Sequence, residues 1–186
     1  MRITISGPPG SGKTTACREL SKRLGLKAVV FGELFRRFAE ERGLTLAELS
    51  ALAEKDPDID RSIDACIVDI AKDNESIILE SRLSAYMLSR NNIPAFKICL
   101  TASPAIRMGR VGAREGESLE DAIAETTARQ ASEARRYKMY YGIDVEDKSV
   151  YDLVLDTGGL APGGVVEAIL EAIGRAHADK GPEGNC

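Results

Sequence analysis

The chain has 186 residues, 44% of them hydrophobic, enough apolar material for one substantial core and too little for two independent ones. Acidic residues (29) outnumber basic ones (25), and a net charge of -4 argues against general affinity for nucleic acid or anionic membranes, both of which reward a basic surface. His177 is the single histidine, and Cys17, Cys66, Cys99 and Cys186 form no C-x-x-C pair, which argues against histidine triads, Cys/His metal centres and a disulfide framework.

Short apolar runs alternate with longer segments of helical period, the pattern of a parallel sheet flanked by helices. Strands are predicted at Ile3–Ser6, Ala28–Phe31, Ile77–Glu80, Phe96–Leu100 and Leu153–Asp156. Cys17, Leu20 and Leu24 share one face of a first helix that Gly25 can stop. Glu33–Arg42 reads as a second helix, and Thr45 with Glu48 has the form of a capping box that opens a third. Ile59, Ile63, Ile67 and Ile70 line a fourth helix over about 59–71, so that residues from about 32 to 73 make a helical insert before the third strand. Ser103-Pro104 is a helix start. The Arg- and Glu-rich stretch from Ile106 to Tyr141, broken at Gly112 and Gly116, reads as a short lid on two helical arms, at about 107–141. A last amphipathic helix runs from about Gly164 to Ala176, and 177–186 is expected to be a flexible polar tail on a single domain of 1–176.

Between the first strand and the first helix lies Gly7-Pro8-Pro9-Gly10-Ser11-Gly12-Lys13-Thr14, which matches G-x-x-x-x-G-K-S/T in the strand–loop–helix setting that this phosphate-binding loop needs. Its backbone N–H groups can cradle phosphates at the positive end of the following helix, glycine permitting close approach. Lys13 would reach the β- and γ-phosphates, the Thr14 hydroxyl would hold Mg²⁺, and Thr15 would add a phosphate contact. Nucleotide binding is the strongest inference from these residues.

A P-loop alone does not separate kinases from switches or motor ATPases. Three features favour transfer of a phosphoryl group to a small phosphorylated acceptor. Gly32 and Arg36 follow the second strand, where a guanidinium can grip an acceptor phosphate. Glu80 and Arg82 fall at the carboxyl end of the third strand, where ligands of parallel sheets bind; Glu80 could order Mg²⁺-bound water and Arg82 hold the acceptor phosphate. Without the P-loop, a surface ion pair would be the better reading of those two. Arg107, Arg110 and Arg114 share one helix face, and Arg129, Glu133 and Arg136 repeat the spacing; a bound triphosphate would join such arginines, as local glutamates would in a solvated helix. No base is needed, because a phosphate acceptor is already anionic.

Ile5–Thr15, Phe31–Arg36 (F-G-E-L-F-R), Leu79–Leu83 (L-E-S-R-L), Arg136–Asp144 (R-Y-K-M-Y-Y-G-I-D) and Tyr151–Thr157 together resemble the archaeal-type cytidylate kinases, among the adenylate-kinase-like monophosphate kinases. The likeness implies an α/β three-layer P-loop NTPase fold with a five-stranded parallel sheet, ATP or dATP as donor, Mg²⁺, and CMP or dCMP as acceptor. It also implies that Arg36, Arg82 and Arg129 are acceptor-phosphate or transition-state ligands, that Arg136 is a lid arginine reaching both nucleotides, and that Glu133 holds these arginines. Lys13, Arg82, Arg129 and Arg136 are then the catalytic candidates, and Arg110 and Arg114 the donor ligands beyond the P-loop. Ser81 stands where such proteins often carry glycine. AMP, UMP or shikimate as acceptor, or an ATPase acting on a protein or RNA, are the rival readings. Small-molecule partners, a monomer and a cytoplasmic location are expected, since the N-terminus goes straight into a strand pattern and no apolar run reaches membrane-spanning length.

Overall fold

Apolar runs of three to six residues become the strands β1 (Arg2–Ser6), β2 (Ala28–Val30), β3 (Ile77–Glu80), β4 (Phe96–Thr101) and β5 (Leu153–Asp156) of a computed structural model, which describes residues 1–115 and 118–178. All four pairings are parallel, in the order β2-β3-β1-β4-β5. Parallel neighbours need crossovers, and helices supply them: α1 (Lys13–Leu24), α2 (Phe31–Glu41), α3 (Leu46–Ala53), α4 (Pro57–Asp73), α5 (Ser84–Arg90), α6 (Pro104–Glu115), α7 (Leu119–Tyr141) and α8 (Pro162–Ala178).

Alternating side chains send the strands' apolar residues to both faces, which gives three layers. On one face Ile3, Ile5, Ile78, Ile98 and Leu100 pack with Cys17 and Leu20 of α1 and Val166 and Ile169 of α8. On the other, Ile77 and Leu79 meet Ile67 of α4, Leu88 of α5 and Tyr137 of α7. Both clusters are almost wholly removed from solvent, and each fully buried aliphatic side chain contributes about 1.5–3 kcal/mol.

The capping box at Thr45 is present in full: its hydroxyl accepts the Glu48 N–H at 3.2 Å, and Glu48 accepts the Thr45 N–H at 2.8 Å. Four local readings change. Phe31 leaves β2 and opens α2, because its ring turns inward and is buried at 3% exposure. Residues 84–90, without a predicted element, form α5, whose short run is too uniformly buried to show a helical stripe. Gly112 lies inside α6 rather than breaking the lid, and Gly116 falls outside the described residues. Finally, α8 carries His177 and Ala178; the rest of the expected tail, 179–186, lies outside the described residues. Among the described residues no helix is long and apolar enough to cross a membrane.

Candidate active site

The loop from Gly7 to Gly12 leaves β1 and enters α1 through three glycines of positive φ: Gly7 (139°), Gly10 (75°) and Gly12 (89°). Two are also pressed from outside. A Cβ on Gly7 would lie 2.1 Å from the Leu100 carbonyl oxygen, and one on Gly10 2.3 Å from that of Arg107. The loop is therefore clamped between the end of β4 and α6, where only glycine fits. Gly12 is the N-cap of α1 and brings no side chain, which leaves the first helical N–H groups to an outside anion.

Side chains fix the loop's carbonyls. Arg107 donates to Pro9 O at 3.2 Å, to Ala102 O at 3.2 Å and to Gln130 Oε1 at 2.7 Å. Arg110 donates to Gly10 O at 3.2 Å and to both Thr157 Oγ1 and Thr157 O at 2.9 Å. Thr157, at the end of β5, places its hydroxyl 3.0 Å from Ser11 O. The loop is thus held before any ligand arrives.

Above it opens a cavity of about 640 Å³. Pro9, Gly10, Gly12, Lys13, Thr14 and Thr15 line it, as do Gly32, Arg36, Glu80, Arg82, Arg110, Arg114, Arg129, Glu133 and Arg136. Ser11 is fully buried in the loop, while Gly7 and Pro8 face a second, smaller cavity on the loop's other side. Residues from α1, α2, β3, α6 and α7, with Lys13 and Arg136 123 positions apart, therefore meet at the carboxyl edge of the sheet.

The cavity's charges are crowded. Lys13 Nζ donates to Pro8 O at 3.0 Å. Burial, reinforced by the Arg82 guanidinium, pushes its ammonium down to about 7 despite Glu80 and Glu133. Arg82 donates to Gly7 O at 3.0 Å and pairs with Glu133 at 2.9 Å. Arg129 is lowered by burial, partly countered by Glu133 and reinforced by Arg82 and Arg36, and its buried Nε has no partner among the described residues. Lys13 and Arg129, each lowered by burial and by neighbouring guanidinium charge, make this a site suited to an anion. Opposite, the Thr14 hydroxyl donates to Glu80 Oε2 at 3.1 Å, with Glu80 only 4% exposed. A hydroxyl and a carboxylate beside a phosphate loop are the hard oxygen donors that Mg²⁺ takes. Among the described residues there is no group of three or more His, Cys, Asp or Glu to hold a metal unaided, so the remaining ligands would come from nucleotide and water.

Two arginines differ from their expected employment. Arg136, expected as a lid arginine reaching both nucleotides, is 2% exposed and held by Asp60, with Nε to Oδ2 at 2.6 Å, and by Ser132 Oγ at 2.6 Å. Burial lowers its pKa, but the Asp60 contact outweighs that and raises it overall. Arg107, expected on the triphosphate face, is turned under the loop and does not line the cavity. Sequence reasoning also missed Thr157, Asp60 and Asp64. The first carried no signal beyond its place at a strand end; the acids stood in a helix whose isoleucine stripe dominated the pattern. Ser81 accepts the Leu83 N–H at 3.2 Å and so brings its own turn contact to a position expected to be glycine.

This geometry has known relatives. The model of the Cytidylate kinase-like family matches residues 2–159. The cytidylate kinase of Methanothrix thermoacetophila is 49% identical over 173 residues, covering 93% of this chain and 98% of its own. That of Natronomonas pharaonis is 46% identical over 184 residues, covering 99% and 94%. Among solved structures, shikimate kinase from Aquifex aeolicus matches with a TM-score of 0.61 at 19% identity, covering 95% of this chain and 98% of its own, a likeness of fold alone. A phosphate loop facing an arginine cluster across one cavity, and a match spanning nearly the whole chain, place this protein in the cytidylate kinase-like family.

Proposed function

We propose that the protein is a cytidylate kinase that moves the γ-phosphoryl group of ATP to CMP or dCMP, giving ADP and CDP or dCDP. The observation that carries this reading is that one cavity is lined by Lys13 at the phosphate loop, Arg36 of α2, Arg82 of the turn after β3 and Arg129 of α7. One end suits a triphosphate and the other a monophosphate, and the names of the archaeal relatives give the base.

In this scheme the loop's backbone N–H groups, which Pro8 and Pro9 lack, and Lys13 hold the β- and γ-phosphates, Thr15 adds a contact, and Arg110 and Arg114 cover the donor from α6. Arg36 and Arg82 orient the acceptor phosphate so that its oxygen lies in line with the γ-phosphorus, and Gly32 leaves room for it. Arg82 and Arg129 neutralise the charge of the transferring group, with Glu133 fixing the fork of Arg82. Thr14 and Glu80 would hold Mg²⁺, the latter through water, and the ion would supply neutralisation of the triphosphate's negative charge. Insert α2–α4 and arms α6 and α7 would close over both nucleotides and exclude water. Free thiols at Cys17, Cys66 and Cys99 fit a reducing cytoplasm, and the enclosure of every functional group within one chain fits a monomer.

ADP release from MgATP should be followed with CMP, dCMP, UMP, AMP, GMP, shikimate and no acceptor. Turnover that requires CMP or dCMP and falls by about 10²- to 10³-fold in Lys13→Ala is expected. Equal release with and without every acceptor would point instead to an ATPase.

A further inference from the structure

Two guanidiniums stand between the phosphate loop and α7. Arg82 donates to Gly7 O at 3.0 Å and pairs with Glu133 at 2.9 Å. Arg107 donates through Nη1 both to Pro9 O at 3.2 Å and to Gln130 Oε1 at 2.7 Å. Gln130 and Glu133 are three apart on α7, neighbours on its surface, and Arg129 adjoins them. The two struts differ in what else they must do. Arg82 lines the main cavity, and the function proposed above turns its N–H groups toward the acceptor phosphate. Arg107 does not line the cavity, so its contacts do not compete with a ligand there.

Arg107 is 8% exposed, its acceptors Pro9 O, Ala102 O and Gln130 Oε1 are all neutral, and no carboxylate among the described residues pairs with it. Burying a charge without an opposite one is costly, and a residue that only packed α6 against the loop could be apolar. What the guanidinium adds is a rigid planar fork whose N–H groups reach two elements at once, the loop and α7. Its own carbonyl is the atom that a Cβ on Gly10 would strike, so side chain and backbone hold the loop at consecutive residues. Arg129 depends on such a brace. Its buried Nε has no partner among the described residues, so its placement falls to the helix that carries it. We infer that Arg107 is a positioning residue that, through Gln130, holds Arg129 of α7 in register with the phosphate loop during phosphoryl transfer. This rests on the kinase reading above and adds the residue that keeps one of its charge-neutralising arginines in place.

The test is a double-mutant cycle on kcat at saturating MgATP and CMP. Arg129→Met should lower kcat by about 10²- to 10³-fold. Arg107→Met should lower it by about 10- to 100-fold, the effect of a displacement of about 1 Å, with the KM for CMP kept within about threefold. In the double variant the two losses should overlap, the observed loss falling short of their product by more than about threefold. Gln130→Leu removes the acceptor on α7 and leaves Pro9 O to Arg107. It should lower kcat by more than about threefold, overlap with Arg129→Met in the same way and leave the KM for ATP within about threefold; it carries the cycle alone if Arg107→Met does not fold. Losses that multiply within about threefold in either cycle, a Gln130→Leu protein with the kcat of the wild type, or a loss carried by KM instead of kcat would leave Arg107 a stabilising residue only. Any of these overturns the inference and spares the kinase reading. Wild-type protein without any CMP turnover would remove the two together.

Discussion

Arg136 on α7 and Asp60 on α4 form an ion pair at 2.6 Å with side-chain exposures of 2% and 6%, joining α4 to α7. Both residues line the main cavity, so the pair ties its α4 and α7 walls together. Removing one partner strands the other's charge in the interior, so Arg136→Met should cost about 3–5 kcal/mol, and Arg136→Met with Asp60→Leu should recover most of it. Urea denaturation of the three proteins checks this. A double variant no more stable than Arg136→Met would refute the account.

Lys13, held down to about 7, is largely neutral at pH 8 in the empty cavity. A triphosphate favours the ammonium, so nucleotide binding at pH 8 should take up as much as about one proton. Titration calorimetry in two buffers of different ionisation enthalpy measures it. Lys13→Ala should abolish the uptake and lower kcat by about 10²- to 10³-fold, the size of loss seen for a preorganised donor.

Asp64 is pushed up to about 7 chiefly by burial, helped by Asp60 and opposed by Tyr141 and Arg136. A raised carboxyl favours the folded state fully below its unfolded value, near 4, and that contribution is lost as pH rises through about 7. Asp64→Asn removes the pH-dependent term. Its stability relative to wild type should rise by about 3–4 kcal/mol between pH 4 and pH 8, as read from urea midpoints at the two values.

Gly10 and Gly12 both have positive φ, but only Gly10 meets backbone, with Arg107 O 2.3 Å from an added Cβ and nothing within 4 Å at Gly12. Gly12→Ala should therefore cost only the left-handed penalty of about 1–2 kcal/mol. Gly10→Ala should cost more and displace α6, because a carbonyl has to move. Thermal melts should rank Gly10→Ala below Gly12→Ala; the reverse order would contradict the clamp.

Thr14→Val keeps the shape and removes the hydroxyl that lies 3.1 Å from Glu80. The Mg²⁺ concentration for half-maximal kcat/KM should rise about 10- to 100-fold, while melting without nucleotide changes little. Unchanged Mg²⁺ dependence would remove Thr14 from the metal site.

Much of this was legible in the chain because its signals are local. The P-loop announces itself through glycines at positions of positive φ that side chains rarely adopt, Thr45 and Glu48 cap within one turn, and Ile77–Glu80 is a β-prone run that has only one use. The short α5 was not legible, since burial on every side erases the periodicity by which helices are read.

Side-chain employment divides differently. Arg82, Arg107, Arg129 and Arg136 are alike as letters, and helical spacing put three of them on suitable faces. Their partners come from far away: Asp60 lies 76 residues from Arg136, Pro9 lies 98 from Arg107, and Gly7 lies 75 from Arg82. The sequence by itself determined the order of strands and helices, the phosphate loop and the residue types available at the sheet's carboxyl edge, because each depends on torsional and burial preferences of neighbours in the chain. Only the tertiary structure decided which arginine faces the cavity, which is locked under the loop and which is held by an acid. A charged group settles wherever opposite charge or a carbonyl offsets its loss of water, and folding brings those partners together.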